Sequence, residues 1–93
     1  MKIKYTVKPT NRFVRDYKRM EKRNAKMSLL DEIITKLAQG TPLPVKNCDH
    51  ELTGNFAGHR ECHVTPDWLL IYRIDNKVLV LSLTRTGSHS DMF

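Results

Sequence analysis

His63, Asp67 and Trp68 fall close together in the chain, and Arg85, His89 and Phe93 close it. These side-chain types suit cleavage of RNA by its own ribose 2′-hydroxyl. One group must take the hydroxyl proton, another must protonate the departing 5′ oxygen, and a cation must stabilise the charge that builds on the phosphate. Histidine titrates near neutral pH and can serve in either proton-transfer role. The planar fork of Arg85 matches phosphate oxygens, and Trp68 and Phe93 offer faces on which an unpaired base could stack. Each residue also has a plainer reading. A single histidine in a small protein is usually a surface residue or a satisfied core group. Trp68 is a natural core residue, Arg85 could pair with Asp67, and Phe93 could be a loose chain end.

What argues for a site is that the expected elements bring these residues together. Residues 58–64, 68–74 and 77–84 read as strands, with Trp68 to Tyr72 and Val78 to Leu81 as continuous apolar runs of the kind found in strands buried on both faces. Thr65-Pro66-Asp67 is a turn, and Asp75-Asn76 is a two-residue hairpin signal. Short turns join antiparallel neighbours. The hairpin at 75–76 returns the last strand so that Trp68 faces about Leu83, and Arg85 emerges near Pro66 and Asp67. His63, Asp67, Trp68, Arg85, His89 and Phe93 are therefore expected at one rim of the sheet.

The first half supplies the support. Residues 2–7 alternate polar and apolar as a strand does. From about 10 to 24, Phe13, Tyr17 and Met20 recur at helical spacing, and from about 27 to 39 Leu29, Leu30, Ile33, Ile34 and Leu37 form a broad apolar face that ends at Gly40, with Pro42 and Pro44 beyond. The spacing predicts an α+β domain of order β-α-α-β-β-β, a helical hairpin packed on an antiparallel sheet. With 93 residues, 40% of them apolar, a single domain over 1–93 is expected.

The chain carries a formal net charge of +6, unevenly placed: residues 1–46 are net +8 and residues 47–93 net −2. Arg12, Arg15, Arg19, Lys22 and Lys26 step by three or four along the first helix and form one stripe opposite its apolar side. Such a stripe is either a solvated face or a surface for phosphates. Other chemistries are disfavoured. Cys48, His50, Cys62 and His63 have poor spacing for zinc, and Cys62 and His63, adjacent on a strand, point to opposite faces. No acidic cluster suits a two-metal nuclease, neither cysteine sits in a nucleophile signature, and Gly54 and Gly58 make no phosphate loop. No metal or other cofactor is expected. The mixed polar start reads as no signal peptide, and no stretch approaches the roughly 20 apolar residues of a membrane helix. Two cysteines are too few for a disulfide framework. A cytoplasmic protein with reduced thiols and no membrane partner is the expectation.

The second half resembles a known family. Asp49-His50-Glu51-Leu52-Thr53-Gly54 is similar to the Asp-His-x-Leu-x-Gly segment of YafQ-like toxins of the RelE superfamily. Gly58 to Val64, Pro66 to Tyr72, and Arg85-Thr86-Gly87-Ser88-His89 with Phe93 resemble the following blocks. The resemblance implies a RelE-like fold and a type II toxin that cuts messenger RNA on the ribosome, and a cognate antitoxin that binds it. It implies active-site residues His50, His63, Asp67, Trp68, Arg85, His89 and Phe93, with Arg60 of the Gly-x-Arg block as a further substrate-binding group. His50 rests on the resemblance alone, because the sheet argument does not fix residues 46–57. His89 is expected as general acid, Asp67 or His50 as general base, Arg85 as phosphate ligand, and His63 as a group that positions or shares protons. The basic stripe is expected to meet ribosomal RNA or an acidic antitoxin segment. His59, Ser88 and Met92 depart from the common pattern without removing a proton-transfer group. A ParE-like gyrase inhibitor, which shares the fold, and a non-cleaving nucleic-acid-binding module are the rival readings.

Overall fold

The computed structural model describes residues 2–93; Met1, where the expected domain begins, lies outside the described residues. The elements are β1 (Thr6–Pro9), α1 (Asn11–Lys22), α2 (Met27–Ala38), β2 (His50–Glu51), β3 (Arg60–Thr65), β4 (Trp68–Asp75), β5 (Val80–Gly87) and α3 (His89–Met92), with short 3-10 turns at Val45–Asn47 and Gly54–Phe56. One five-stranded sheet runs β1-β5-β4-β3-β2. The expected α+β order is present, and β3, β4 and β5 form the antiparallel meander. Two elements were not foreseen, the two-residue β2 beside β3 and the terminal α3. β1 begins later than residue 2 and joins β5 in parallel. It ends at Pro9 on the sheet edge, where a missing N–H is tolerated.

Both long helices contribute to one core. Thr10 caps α1, its hydroxyl accepting from Phe13 N–H at 3.0 Å and donating to the Thr84 carbonyl at 2.8 Å. α2 stops in a Schellman arrangement: Gly40, at φ +75°, donates to Leu37 and Thr41 donates to Lys36. Phe13 and Met20 of α1 and Leu30, Ile33 and Leu37 of α2 bury against Cys62, Leu70, Tyr72, Leu81 and Leu83 of the sheet. Each fully buried aliphatic side chain contributes about 1.5–3 kcal/mol. β4 is the central strand, and its first five residues are all buried, as the apolar run predicts.

The β4–β5 hairpin differs from expectation. Asp75 pairs with Val80, so the loop holds residues 76–79 rather than two. Val78 and Leu79 are exposed there instead of lying in a strand. Leu79 takes φ +53°, and its carbonyl accepts from Thr6 N–H at 2.9 Å, so the longer loop also serves to dock β1. An irregularity between Ile71 and Tyr72 then shifts the pairing by one more residue. Leu83 consequently faces Tyr72 rather than Trp68, and Arg85 faces Ile71 instead of emerging beside Pro66 and Asp67.

Arg85 is instead held by Asp16, a carboxylate inside the apolar stripe of α1. Arg85 Nε and Nη2 donate to it at 2.9 and 3.1 Å, Thr86 N–H at 3.2 Å and Arg19 Nη2 at 2.6 Å. Asp16 and Arg85 are 4% and 8% exposed. The carboxylate, first among its causes, raises the Arg85 pKa and keeps the guanidinium charged. Removing one partner of a buried pair strands the other's charge. Asp16→Ala is therefore expected to lower the unfolding free energy by about 3–5 kcal/mol, read from urea denaturation; a loss below about 1 kcal/mol, the range of exposed pairs, would show that the Arg85 charge escapes to water when its partner is gone.

Candidate functional site

The alternation of β3 sorts its side chains. Cys62 points into the core among the helix-facing residues, and Glu61 and His63 share the opposite face. β2 lays His50 directly across from Glu61. The Glu61 carboxylate, 7% exposed, thus lies between two imidazoles, with Oε1 3.6 Å from His50 Nε2 and 3.9 Å from His63 Nε2. Glu61 is not among the residues that the sequence marks for the site, although its spacing of two from His63 on a strand places both on one face.

The two rings are anchored alike. His50 Nδ1 lies 2.7 Å from the Cys48 carbonyl and His63 Nδ1 lies 3.3 Å from the Pro66 carbonyl. A carbonyl only accepts, so the hydrogen-bond network assigns a proton to Nδ1 in both rings. Nε2 is then the basic nitrogen of each neutral ring, and in both it faces Glu61. At 3.6 and 3.9 Å neither Nε2 is within hydrogen-bond range of the carboxylate, and an ion pair forms there only once a ring is protonated.

The sheet places the second half of the site. His63, Leu69 and Gly87 form one row across β3, β4 and β5. With neighbouring strands about 4.8 Å apart, the backbones of His63 and Gly87 are separated by roughly 10 Å. Ser88 then caps α3, on which His89 is the first residue, and His89 is exposed. Its ring lies 4.9 Å from that of Phe93, tilted by 33°. Phe93 contacts Phe56 edge-on at 5.9 Å, which ties the chain end to the loop between β2 and β3. Phe93 is still 58% exposed, so it keeps a free aromatic surface.

Other expected site residues lie elsewhere. Trp68 is 5% exposed and its Nε1 donates to Thr86 Oγ1 at 2.9 Å, so it is a core residue without a free face for a base. Asp67 is exposed in the β3–β4 turn, one residue beyond the carbonyl that anchors His63. Arg85 reaches the site's row from Ile71, with one edge of its fork on Asp16; among the described residues its Nη1 has no hydrogen-bond partner. Arg60 belongs to the helix-facing side of β3, opposite to Glu61 and His63. It donates to Asp49 at 3.2 Å, beside the Tyr72 hydroxyl that donates to the same oxygen at 2.6 Å. Burial, then this bond to Asp49, raises the Tyr72 pKa, so the phenol stays neutral. Burial likewise pushes the Cys62 thiol up to about 12, which leaves it inert as a nucleophile at neutral pH. Of the basic stripe, Arg12, Arg15 and Lys22 are exposed on α1, Arg19 is paired with Asp16, and Lys26 lies past the end of the helix as the residue before α2.

Comparisons with known proteins show the family of the chain. Residues 5–93 match the family described as the bacterial toxin of a type II toxin–antitoxin system, YafQ. The chain is 37% identical over 92 residues to the mRNA interferase toxin YafQ of Escherichia coli strain K12, covering 98% of each chain. It superposes on the crystal structure of YafQ from E. coli strain BL21(DE3) with a TM-score of 0.90 at 34% identity, over 96% of this chain and 98% of that one. On a chain of the E. coli DinJ–YafQ toxin–antitoxin complex the TM-score is 0.89 at 35% identity, over 98% and 99%. The chain belongs to the YafQ family of type II toxin–antitoxin toxins.

Proposed function

We propose that this toxin is an mRNA interferase that cuts ribosome-bound messages by metal-independent attack of the ribose 2′-hydroxyl, and that a cognate antitoxin holds it inactive. The observation that carries the reading is the pairing of His50 and His63 about Glu61, with His89 and Phe93 following Gly87 in the row of His63 and Leu69. The similar E. coli protein is named an mRNA interferase, and a similar E. coli chain is seen in a DinJ–YafQ complex. Among the described residues no helix is long and apolar enough to cross a membrane, and the site of action is the translating ribosome in the cytoplasm.

The chemistry follows from positions. Nε2 of His50 or His63 takes the 2′-hydroxyl proton, and Glu61 stabilises the imidazolium that results. The 2′ oxygen attacks phosphorus, and the 5′ oxygen leaves with the proton of His89, giving a cyclic phosphate and a new 5′ end. Arg85 Nη1 answers charge on the phosphoryl oxygens, and Phe93 stacks on a base. Asp67 acts from the turn that orients His63, a lesser part than that of general base, because both imidazoles have a closer carboxylate in Glu61. The exposed Arg12, Arg15 and Lys22 face ribosomal RNA phosphates.

Mapping of 5′ ends after brief expression tests the reading. New ends inside translated frames are expected, and His89→Ala should remove them, its cleavage of ribosome-bound message falling by about 10²–10⁴. Arrested growth with intact messages would refute RNA cleavage and favour gyrase inhibition. Glu61→Gln, which keeps the shape and deletes the charge, is expected to slow cleavage by about 10² in a single-turnover assay; an unchanged rate would remove Glu61 from the mechanism. Neutralising Arg12, Arg15 and Lys22 together should flatten the fall of ribosome affinity with salt by about two to three contacts' worth of slope, and an identical slope would make the stripe a solvated face.

A further inference from the structure

α3 has four residues, far too few to hold a helix by itself. Yet it carries His89, and Phe93 follows it. Two attachments hold it. One is the contact of Phe93 with Phe56. The other is polar and comes from 68 residues away in the chain: Arg23, the residue that caps the C-terminal end of α1, grips Asp91 with both Nη atoms, at 2.7 and 3.0 Å. Asp91 also closes a capping box, accepting from Ser88 N–H at 2.8 Å while its own N–H donates to Ser88 Oγ at 3.2 Å. Gly87 completes the fit: at φ +153°, a Cβ there would stand 2.8 Å from Asp91 Oδ2. Asp91 is therefore committed on three sides, to α1, to the start of its own helix and to the end of β5.

We propose that Arg23 and Asp91 form a clamp that positions His89 and Phe93 for the reaction, an inference that rests on the reading of His89 as proton donor. A fork-to-carboxylate pair fixes orientation as well as distance. It acts on the first turn of α3, two residues from His89. An isolated exposed ion pair contributes little stability, and Arg23 is partly exposed while Asp91 is nearly covered. The contribution of the clamp accordingly falls on the geometry of the proton transfer more than on the stability of the fold. A displacement of about 1 Å at a reacting group can cost about 10² in rate.

The test is single-turnover cleavage of a message on purified ribosomes, measured across toxin and ribosome concentrations. Arg23→Ala and Asp91→Ala are each expected to slow the saturated rate by about 10- to 100-fold with the half-saturating concentration unchanged. Arg23→Lys keeps the charge but loses the fork, leaves the capping box of Asp91 untouched, and should recover part of the rate lost in Arg23→Ala. Asp91→Asn, which retains an acceptor for Ser88 N–H, should fall between wild type and Asp91→Ala. If the alanine variants lose their folding transition, Arg23→Lys and Asp91→Asn decide. Wild-type rates in the single variants would overturn the clamp. So would a defect confined to the half-saturating concentration, or an Arg23→Lys variant as slow as Arg23→Ala. His89→Ala run alongside separates the two claims: if it is inactive while the clamp variants are not, only the clamp fails, and if it is fully active the assignment of the acid fails first.

Discussion

The carboxylate of Asp16 is the point on which the fold and the site both depend. It is buried where α1 crosses the end of β5, and it receives four donors from three residues: Arg85, Thr86 and Arg19. Without it, Arg85 would be a buried unpaired cation, a state that costs several kcal/mol in a protein interior. With it, β5 keeps an arginine at the row opposite Ile71, in line with Glu61 and His50. The second arginine on Asp16 leaves the cluster with a net positive charge, so pairing does not cancel the attraction for a phosphate. Arg60, by contrast, pairs with Asp49 and Glu51 near solvent, where ion pairs contribute about 0–1 kcal/mol.

Which parts were legible in the sequence follows from the range of the signals. Periodicity is local, and it located both long helices, the three meander strands and the fully buried run of β4. Strand pairing depends on turn length and bulges, and these are set by contacts far along the chain. The hairpin after β4 holds two more residues than Asp75-Asn76 suggested because Leu79 also accepts a bond from β1. That difference, with one irregularity, moved Arg85 away from Asp67, while the alternation of β4 puts Trp68 on the core face with Leu70 and Tyr72. Even so, the signal for the true partner was present. Phe13, Asp16, Tyr17 and Met20 occupy one helical stripe, and a charge inside an apolar stripe requires a buried counter-charge. Arg85, lying in an otherwise apolar and hydroxylated strand, is the matching exception.

His50 and Glu61 illustrate the opposite case. The loop from residue 46 to 57 has no period to read, so the placement of His50 came from resemblance to a family. The structure supplies the physical reason for it: two residues of strand beside β3 suffice to set His50 over Glu61. The αL conformation of Cys48 bends the chain just before β2, and the Cys48 carbonyl orients the His50 ring. Asp91 was likewise unreadable as a partner of Arg23, since 68 residues separate them.

The distribution of rigidity follows from these anchors. His50 and His63 sit on paired strands, and their rings are tied to backbone carbonyls, so this half of the candidate site is built into the sheet. The other half is a helix of four residues at the chain terminus, and it gains its order from α1 and from Phe56. α1 thus has three duties on three parts of its surface. Its apolar stripe packs on the sheet, Asp16 holds Arg85 at mid-helix, and the residue at its C-terminal end holds α3. A single rigid helix that fixes both the cation and the seat of the imidazole keeps their separation constant, which is what a reaction with one phosphate and one leaving oxygen demands. Its outward arginines are joined to the same rigid body, so a partner that grips them also fixes the orientation of Arg85 and α3.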